Sequence, residues 1–211
     1  MSETPFFLFA HGWGSSASIW GPMRAALPEA QTAVIERGYF GATPSWPTVP
    51  TGYIGVGHSA GTLDLLGDRP AGCIGLIAIN GFSRFSQAPD FASGVPMRVL
   101  DRMLLRLAAD PVGTVTAFRV RCGTDGGFSG APRPDRLEQG LHALRDRDAR
   151  AAAADLKLLA LAGRLDPIVS PTMTVASFDR STILWNEAAG HLLPLTHPDW
   201  CAGQLMKFAR A

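Results

Sequence analysis

The sequence predicts an α/β protein built on a mostly parallel sheet of about six strands, with helices on both faces. Two patterns predict this class. Six short apolar runs have the length and composition of buried strands, and helix-like stretches stand between several of them. Strands that alternate with helices are joined by crossovers, which makes the sheet parallel. Reactive groups gather at the carboxyl ends of such strands, so the loops there are the first place to look for a site.

The predicted elements follow one another in order along the chain. The predicted strands are residues 6–10, 32–36, 53–57, 73–80, 157–162 and 182–186. The predicted helices of the main fold are residues 19–26, 62–66, 170–178 and 199–211.

A change in composition separates the middle of the chain from the rest. Residues 83–150 hold 11 of the 17 arginines and lack the short apolar runs found on either side. Within this segment apolar residues recur at helical spacing over 99–107, and 135–155 is rich in Ala and Leu. We therefore predict a core made of residues 1–82 and 151–211, which carries residues 83–150 as a helical lid.

Composition and charge exclude several classes of function. The chain has 211 residues, enough for one domain, with 46% hydrophobic residues and a net charge of only +1, so we expect no bulk attraction to nucleic acid or to membranes. Cys73, Cys122 and Cys201 are far apart and odd in number, which indicates neither a disulfide framework nor a metal site and favours a reducing compartment. The first five residues lack the basic region of a secretory leader. We expect a cytoplasmic monomer that needs no metal and no organic cofactor.

A Gly-x-Ser-x-Gly motif joins the third strand directly to a helix. It reads Gly57-His58-Ser59-Ala60-Gly61. A strand, a tight turn and a helix in this order form a nucleophile elbow, in which the turn pushes the serine Oγ out above the sheet. Ser59 is therefore the candidate nucleophile. The alternative is that Ser59 is only a small residue that fits the turn.

A serine nucleophile needs a base, usually a histidine, which is itself oriented by a carboxylate. On this kind of fold the three residues follow in the order Ser, acid, His. Asp166 follows the fifth predicted strand and His191 follows the sixth, so both stand in the required order. Two alternatives remain open: Asp166 could cap the turn before Pro167, and His197 could compete with His191, although it looks like the start of a helix.

The loop after the first strand is the candidate oxyanion hole. Gly12 and Gly14 flank Trp13 and let the chain turn, so that the backbone N–H of Trp13 can point inward. The second N–H donor would be that of Ala60, directly after the nucleophile. The alternative is an ordinary glycine turn.

Taken together, residues 9–14, the elbow, Asp166 and His191 resemble the α/β-hydrolase superfamily. Within that superfamily, three stretches resemble the pimeloyl-[acyl-carrier protein] methyl ester esterases of biotin synthesis. They are residues 11–14 with Trp20, residues 140–148, and residues 189–191 with 197–198. The resemblance implies that Ser59, Asp166 and His191 are the triad and that Trp13 and Ala60 contact the substrate. The chain departs from that family in the short segment 37–52 and in His58, where an aromatic residue is common.

The same resemblance implies a lid segment that lines the acyl chain. Residues 118–122 match it, which makes Phe118, Arg121 and Cys122 candidate substrate contacts. The substrate would be a small-molecule ester or one carried by an acyl-carrier protein.

Three arginines at intervals of four residues predict a basic stripe on a lid helix. They are Arg98, Arg102 and Arg106. Such a stripe could dock an acidic acyl-carrier protein. The alternative is a solvated face paired with Asp101 and Asp110.

The sequence thus predicts hydrolysis of a carboxylic ester in two steps, through an acyl-enzyme on Ser59. Two other functions remain open. One is a different small-molecule serine hydrolase, such as a general carboxylesterase, a thioesterase or a C–C bond hydrolase. The other is a non-catalytic binding protein that keeps the pocket.

Overall fold

A single six-stranded sheet organises the computed structural model, which describes residues 4–178 and 182–211. The strands are Phe6–Ala10 (β1), Gln31–Ile35 (β2), Tyr53–His58 (β3), Cys73–Ile79 (β4), Leu158–Gly163 (β5) and Thr182–Asn186 (β6). Their order across the sheet is β2-β1-β3-β4-β5-β6, and each neighbouring pair is parallel. The predicted fold class is confirmed, and every predicted strand boundary lies within one residue of the observed one.

Helices cover the sheet and fill the segment between β4 and β5. After a short 3-10 helix at Ala17–Trp20, they are Gly21–Ala25 (α1), Ala60–Asp68 (α2), Met97–Ala109 (α3), Pro111–Cys122 (α4), Pro134–Asp146 (α5), Arg150–Ala154 (α6), Pro171–Ser177 (α7), Leu193–Thr196 (α8) and Pro198–Arg210 (α9). None of the helices in the described residues has the length and apolar character needed to cross a bilayer. Residues 1–3, part of the stretch used to predict the lack of a leader, lie outside the described residues.

The predicted helix at 135–155 is two helices, because the chain turns at 147–149. There the side chain of Arg84 pairs with Asp148 at 2.8 Å, and the Ala149 N–H donates to the Ser83 carbonyl at 2.8 Å. These contacts tie the end of α5 to the segment that leaves β4.

Side chains that alternate along the strands build two hydrophobic layers, one on each face of the sheet. In β1, Phe7 and Phe9 point to one layer and Leu8 and Ala10 to the other. The 3-10 helix, α1, α8 and α9 contribute to the first layer, and α2, α3, α4, α5 and α7 contribute to the second. Helices α3, α4 and α5, between β4 and β5, therefore bury their apolar residues in the same layer as the elbow helix α2. The division into a core and a lid at residues 83 and 150 stays a prediction.

The strand order creates a crevice at the carboxyl ends of β1 and β3. The chain passes from β1 outward to β2, and then returns to place β3 on the other side of β1. Because Ala10 pairs with Gly57, the loops that follow the two strands leave the sheet at the same level. Ligands bind at such a switch point in open α/β sheets, and the loops there carry Trp13 and Ser59.

Candidate active site

The elbow at the end of β3 holds Ser59 in a rarely populated backbone conformation. Its φ is 53° and its ψ is −125°, a combination that costs on the order of 1–3 kcal/mol. The Ser59 N–H donates to the Ile79 carbonyl at 3.1 Å, which anchors the turn to β4. A side chain on Gly61 would overlap the Ala10 carbonyl, so the turn requires glycine there. The surrounding contacts therefore hold the strained residue in place, as the motif predicts.

Asp166 and His191 form a buried hydrogen-bonded pair. His191 Nδ1 lies 2.8 Å from Asp166 Oδ2, and the residues are 2% and 8% exposed. A carboxylate oxygen accepts, so Nδ1 carries the proton and Nε2 is the basic nitrogen. The other carboxylate oxygen, Oδ1, accepts the N–H groups of Ile168 at 2.7 Å and Val169 at 2.9 Å. The contacts of both interpretations of Asp166 are therefore present: one oxygen caps the turn and the other accepts from the His191 imidazole.

Ser59 and His191 line one narrow cavity of about 30 Å³. Gly12, Trp13 and His58 share this cavity with them. Among the described residues, no hydrogen bond joins Ser59 Oγ to His191. Hydrogen bonds of this kind are often long in the absence of substrate and tighten when it binds. The structure thus brings together three side chains that are far apart in the sequence.

His197 lies elsewhere, at the residue that precedes α9. Its Nδ1 is 2.8 Å from Thr196 Oγ1. Of the two histidines, His191 lines the narrow cavity with Ser59 and His197 does not, and the predicted placement of His197 at a helix start is confirmed.

The backbone N–H groups of Trp13 and Ala60 are available to bind an oxyanion. Neither donates a hydrogen bond to any atom of the described residues. Gly12 brings the two loops close together, since a Cβ placed there would lie 2.9 Å from the Ser59 Cβ. From α4, the Arg119 Nη1 donates to the Gly14 carbonyl at 3.0 Å and so holds this loop, a contact that sequence reasoning missed.

The Trp13 ring forms a wall of the site. Its Nε1–H donates to the Leu137 carbonyl at 2.8 Å, and its edge meets the Phe118 ring with the centroids 4.9 Å apart. Helices α4 and α5 therefore hold this ring in place.

An apolar cavity of about 220 Å³ opens at Ser59 beneath the inserted helices. Besides Ser59, its lining comprises Trp13, Phe82, Phe85, Val95, Pro96, Val99, Leu100, Met103, Phe118, Arg121, Leu144 and Ile168. Phe118 and Arg121 are among the residues that the resemblance singled out, whereas Cys122 lies in the narrow cavity instead. Burial raises the pKa of the Cys122 thiol to about 12, so it is a protonated wall residue and no rival to Ser59.

Comparisons with known proteins bear on the fold. No family model matches the chain, and no curated protein matches it significantly in sequence. Solved structures do match over its full length. An esterase from Exiguobacterium antarcticum has a TM-score of 0.81 at 16% identity, with 100% of this chain and 94% of that chain covered. A bromoperoxidase from Bacillus anthracis has a TM-score of 0.81 at 14% identity, with 100% and 93% covered.

An enol-lactonase from Burkholderia xenovorans LB400 has a TM-score of 0.79 at 13% identity, with 100% of this chain and 93% of that chain covered. The chain has the α/β-hydrolase fold. In this hydrolase fold Ser59, Asp166 and His191 lie after β3, β5 and β6, at one edge of the sheet.

An open groove of about 710 Å³ between α3 and α4 adjoins the apolar cavity of the hydrolase fold. Arg102, Arg106 and Arg121 line it, and Arg121 also lines the apolar cavity. Arg98, the first residue of the predicted stripe, lines a separate shallow depression instead.

The stripe arginines Arg98, Arg102 and Arg106 form no ion pair within the described residues. All three arginines are exposed, as the alternative of a solvated face predicts, but the ion pairs with Asp101 and Asp110 do not form. Asp101 pairs with Arg145 at 2.8 Å, and Asp110 accepts the N–H of Gly113 at 2.8 Å as the cap of α4. Arg102, Arg106 and Arg121 outnumber Asp110 among the residues that line the groove, so its lining carries a net positive charge.

Sequence reasoning missed most of the apolar lining. Phe82 and Phe85 lie in the segment after β4, and Ile168 follows Asp166 by two residues, so their position after strand ends was an available signal. Val95 and Leu144 carry no such signal, since neither follows a strand end. No cluster of three or more possible metal-ligating side chains occurs in the part of the chain that the structure describes.

Proposed function

We propose that this protein is a serine carboxylic ester hydrolase. The observation that carries the proposal is the buried pair of His191 and Asp166, 2.8 Å apart, in the cavity where the strained elbow presents Ser59. The apolar cavity beside Ser59 supports an acyl chain as the group it receives. The names of the structural neighbours, esterases among them, agree with this class but come from proteins of low identity.

The proposed reaction has two steps. In the first, Ser59 Oγ attacks the ester carbonyl carbon while His191 Nε2 takes the hydroxyl proton, and Asp166 stabilises the imidazolium. The negative charge on the carbonyl oxygen is stabilised by the N–H groups of Trp13 and Ala60. The tetrahedral intermediate collapses, the C–O bond to the alcohol breaks, and the alcohol leaves with the proton from His191.

In the second step, water hydrolyses the acyl-enzyme. His191 Nε2 takes a proton from the water as its oxygen attacks the acyl carbon. The second tetrahedral intermediate releases the carboxylic acid, and the proton returns to Ser59 Oγ. The enzyme ends in its starting state, with one water consumed.

Labelling with a fluorophosphonate and hydrolysis of a short p-nitrophenyl ester test this proposal. Ser59→Ala is expected to abolish labelling and to lower kcat by about 10⁵-fold or more, because a triad acts as a unit. His191→Gln should have a comparable effect on kcat. His197→Gln is the matched control, since that ring lies outside both cavities, and it should retain wild-type activity. Full activity in Ser59→Ala, or no labelling of the wild type, would contradict the proposal.

For the substrate, we propose the methyl ester of pimeloyl-[acyl-carrier protein]. The resemblance of residues 11–14, 140–148 and 189–191 suggests it. The groove lined by Arg102 and Arg106 favours it, because unpaired cations beside the cavity mouth suit an acidic carrier protein. In this proposal α3 and α4 act as a lid that covers the acyl chain.

Charge reversal separates carrier docking from chemistry. The double variant Arg102→Glu with Arg106→Glu should raise KM for a carrier-linked ester about 10-fold or more while it leaves small esters unaffected, and added salt should weaken the wild-type interaction. Arg210→Glu, on α9, is the control and should change neither. An equal loss on both substrates would contradict docking at this groove.

Other serine hydrolase reactions remain candidates for the same site. A panel of methyl esters, thioesters and diketones separates the esterase from a thioesterase or a C–C bond hydrolase. Rescue of growth without biotin, in a host that lacks its own pimeloyl ester esterase, tests the specific substrate.

We also propose that the protein is a cytoplasmic monomer. Cys73, Cys122 and Cys201 are all free thiols, which suits a reducing compartment. Size-exclusion chromatography with light scattering measures the assembly state, and fractionation of the source cells measures the location. A stable dimer or a secreted form would contradict this proposal.

A further inference from the structure

Two buried side chains hold the loop that carries His191 by its backbone carbonyls. Asn80 Nδ2 donates to the Gly190 carbonyl at 2.7 Å. His58 Nε2 lies 2.8 Å from the carbonyl of His191 itself. His58 is the last residue of β3 and Asn80 directly follows β4, so both anchors stand at strand ends rather than on loops.

Asn80 also reaches the strand that leads to Asp166. Its Oδ1 accepts the N–H of Gly163, the last residue of β5, at 2.8 Å. Asn80 is 1% exposed and has a φ of 44°, a left-handed conformation that asparagine tolerates better than most residues. One side-chain amide therefore links the strand end before Asp166 to the residue before His191.

The His58 ring is a neutral donor. A carbonyl oxygen only accepts, so Nε2 carries the proton, and Nδ1 has no partner among the described residues. Burial, and after it the charge of His191, lowers the pKa of His58 to about 3. A neutral ring can hold the His191 loop without adding a positive charge 4.9 Å from the His191 ring, where charge develops during the reaction.

We propose that Asn80 and His58 are positioning residues for the general base. By holding the carbonyls of Gly190 and His191, they set where the imidazole lies relative to Ser59 and Asp166. The proposal rests on the proposed function for its kinetic consequence. A displacement of about 1 Å in such a group can cost about 100-fold in rate.

Asn80→Gly is the most direct variant. It deletes both side-chain hydrogen bonds while glycine keeps the left-handed backbone accessible. Tyr53→Phe is the matched control, because it deletes a side-chain hydrogen bond, from the Tyr53 hydroxyl to the Pro70 carbonyl at 2.7 Å, at the opposite end of β3. We expect Asn80→Gly to lower kcat by about 10- to 100-fold with KM within about twofold of wild type. Tyr53→Phe should leave kcat unchanged.

A pair of substitutions tests His58 independently. His58→Leu removes the donor, and His58→Gln places an amide N–H near the position of Nε2. We expect the leucine variant to lose about 10-fold or more in kcat and the glutamine variant to recover most of it. Equal losses in the two variants would show that the ring volume matters and not the hydrogen bond.

The proton signal of His191 Nδ1–H gives a readout that does not need turnover. It is assigned by its loss in His191→Gln, and it reports the hydrogen bond to Asp166. We expect it to shift or broaden in Asn80→Gly and His58→Leu and to stay unchanged in Tyr53→Phe. If the wild type hydrolyses no ester and the signal still responds in this way, the proposed function fails and the positioning role stands.

Two outcomes overturn the positioning role. One is an unchanged signal in folded Asn80→Gly and His58→Leu, whatever their kcat. The other is a signal that shifts equally in Tyr53→Phe, since the response would then follow from lost stability in general.

Discussion

At the scale of single residues, the site depends on side chains that serve two partners at once. Asp166 uses one oxygen for the turn at 168–169 and the other for His191. Asn80 uses its amide oxygen for β5 and its amide nitrogen for the loop after β6. Because both hydrogen-bonding ends of such residues are occupied, their orientation is determined, and this is what pre-organises a reactive group.

The buried His58 should make stability depend on pH. Its pKa is lowered to about 3 in the folded protein, against an ordinary value of about 6.5 once unfolded. Between these values the unfolded state binds a proton that the folded state does not, so the free energy of unfolding falls as the pH drops below about 6.5. The contribution reaches about 1.4 kcal/mol per pH unit at most.

Urea denaturation of wild type and His58→Gln at pH 7, 6 and 5 measures this contribution. The difference in the free energy of unfolding, wild type minus variant, should decrease as the pH falls. Parallel pH profiles would show that His58 does not titrate in this way.

Gly12 should be intolerant of even one methyl group. In Gly12→Ala the new Cβ would lie 2.9 Å from the Ser59 Cβ and 3.3 Å from His58 Nδ1. We expect the loop that carries the Trp13 N–H to move, and kcat to fall by about 100-fold, the effect of losing one oxyanion donor. Gly21→Ala, with no atom within 4 Å of its Cβ, is the control and should keep wild-type kinetics. Equal kcat in the two variants would contradict the close approach.

At the scale of elements, the bounds of helix α4 determine which of its side chains contact the loop after β1. Helix α4 begins after Asp110 caps it, with Pro111 in its first turn, and it ends at Cys122, before Gly123, whose φ is 105°. Within these bounds, the Phe118 ring contacts the Trp13 ring and the Arg119 guanidinium donates to the carbonyl of Gly14. The helix thus contacts the loop after β1, which carries the proposed oxyanion donor Trp13.

Two glycines inside helices should respond to alanine in opposite ways. In Gly140→Ala the new Cβ would lie 2.6 Å from Trp13 Cδ1 and 2.6 Å from the Tyr39 hydroxyl, so we expect a loss of about 1–3 kcal/mol from overpacking. In Gly203→Ala the Cβ would have no atom within 4 Å, so helix propensity should raise stability by about 0.5–1 kcal/mol. Thermal and urea unfolding measure both, and stabilisation of both variants would contradict the packing of α5 on Trp13.

At the scale of the whole molecule, the apolar cavity lies between the ends of the strands and the helices between β4 and β5, and residues of both line it. Ser59, Phe82 and Ile168 reach the apolar cavity from the ends of strands, while Leu100 and Phe118 reach it from α3 and α4. The reactive groups are thus supplied by the sheet, and the shape of the cavity is decided by the inserted helices. Because the candidate reactive groups and the cavity walls come from different elements, the walls can vary between proteins while the reactive groups stay the same.

A larger side chain at the junction between the apolar cavity and the groove should limit the protein to esters with shorter acyl chains. Met103 lines both, so Met103→Trp is expected to lower kcat/KM for long-chain p-nitrophenyl esters by about 10-fold or more and to spare the acetate. Leu105→Trp is the control, since Leu105 is 74% exposed on the same helix. A uniform change across chain lengths would show that the acyl chain does not reach Met103.

Local patterns in the sequence determined the strands, the elbow and the order of the candidate triad. Strand boundaries were predicted within one residue because buried parallel strands are short, continuously apolar runs, and turns interrupt them. Helix α4 was not predicted, because only Val115 and Cys122 of its residues are buried and its apolar residues do not fall on one face.

Tertiary structure alone decided which residues meet. Periodicity in the sequence does not show that Asn80 bonds to Gly163 and Gly190, or that His58 bonds to the His191 carbonyl. Nor does it show that Arg98 lies apart from Arg102 and Arg106. Periodicity reports that a side chain is buried and on which face, because burial acts on each residue locally. Which residue a buried side chain contacts depends on how strands that are distant in the chain are ordered side by side. Only the assembled sheet determines that order.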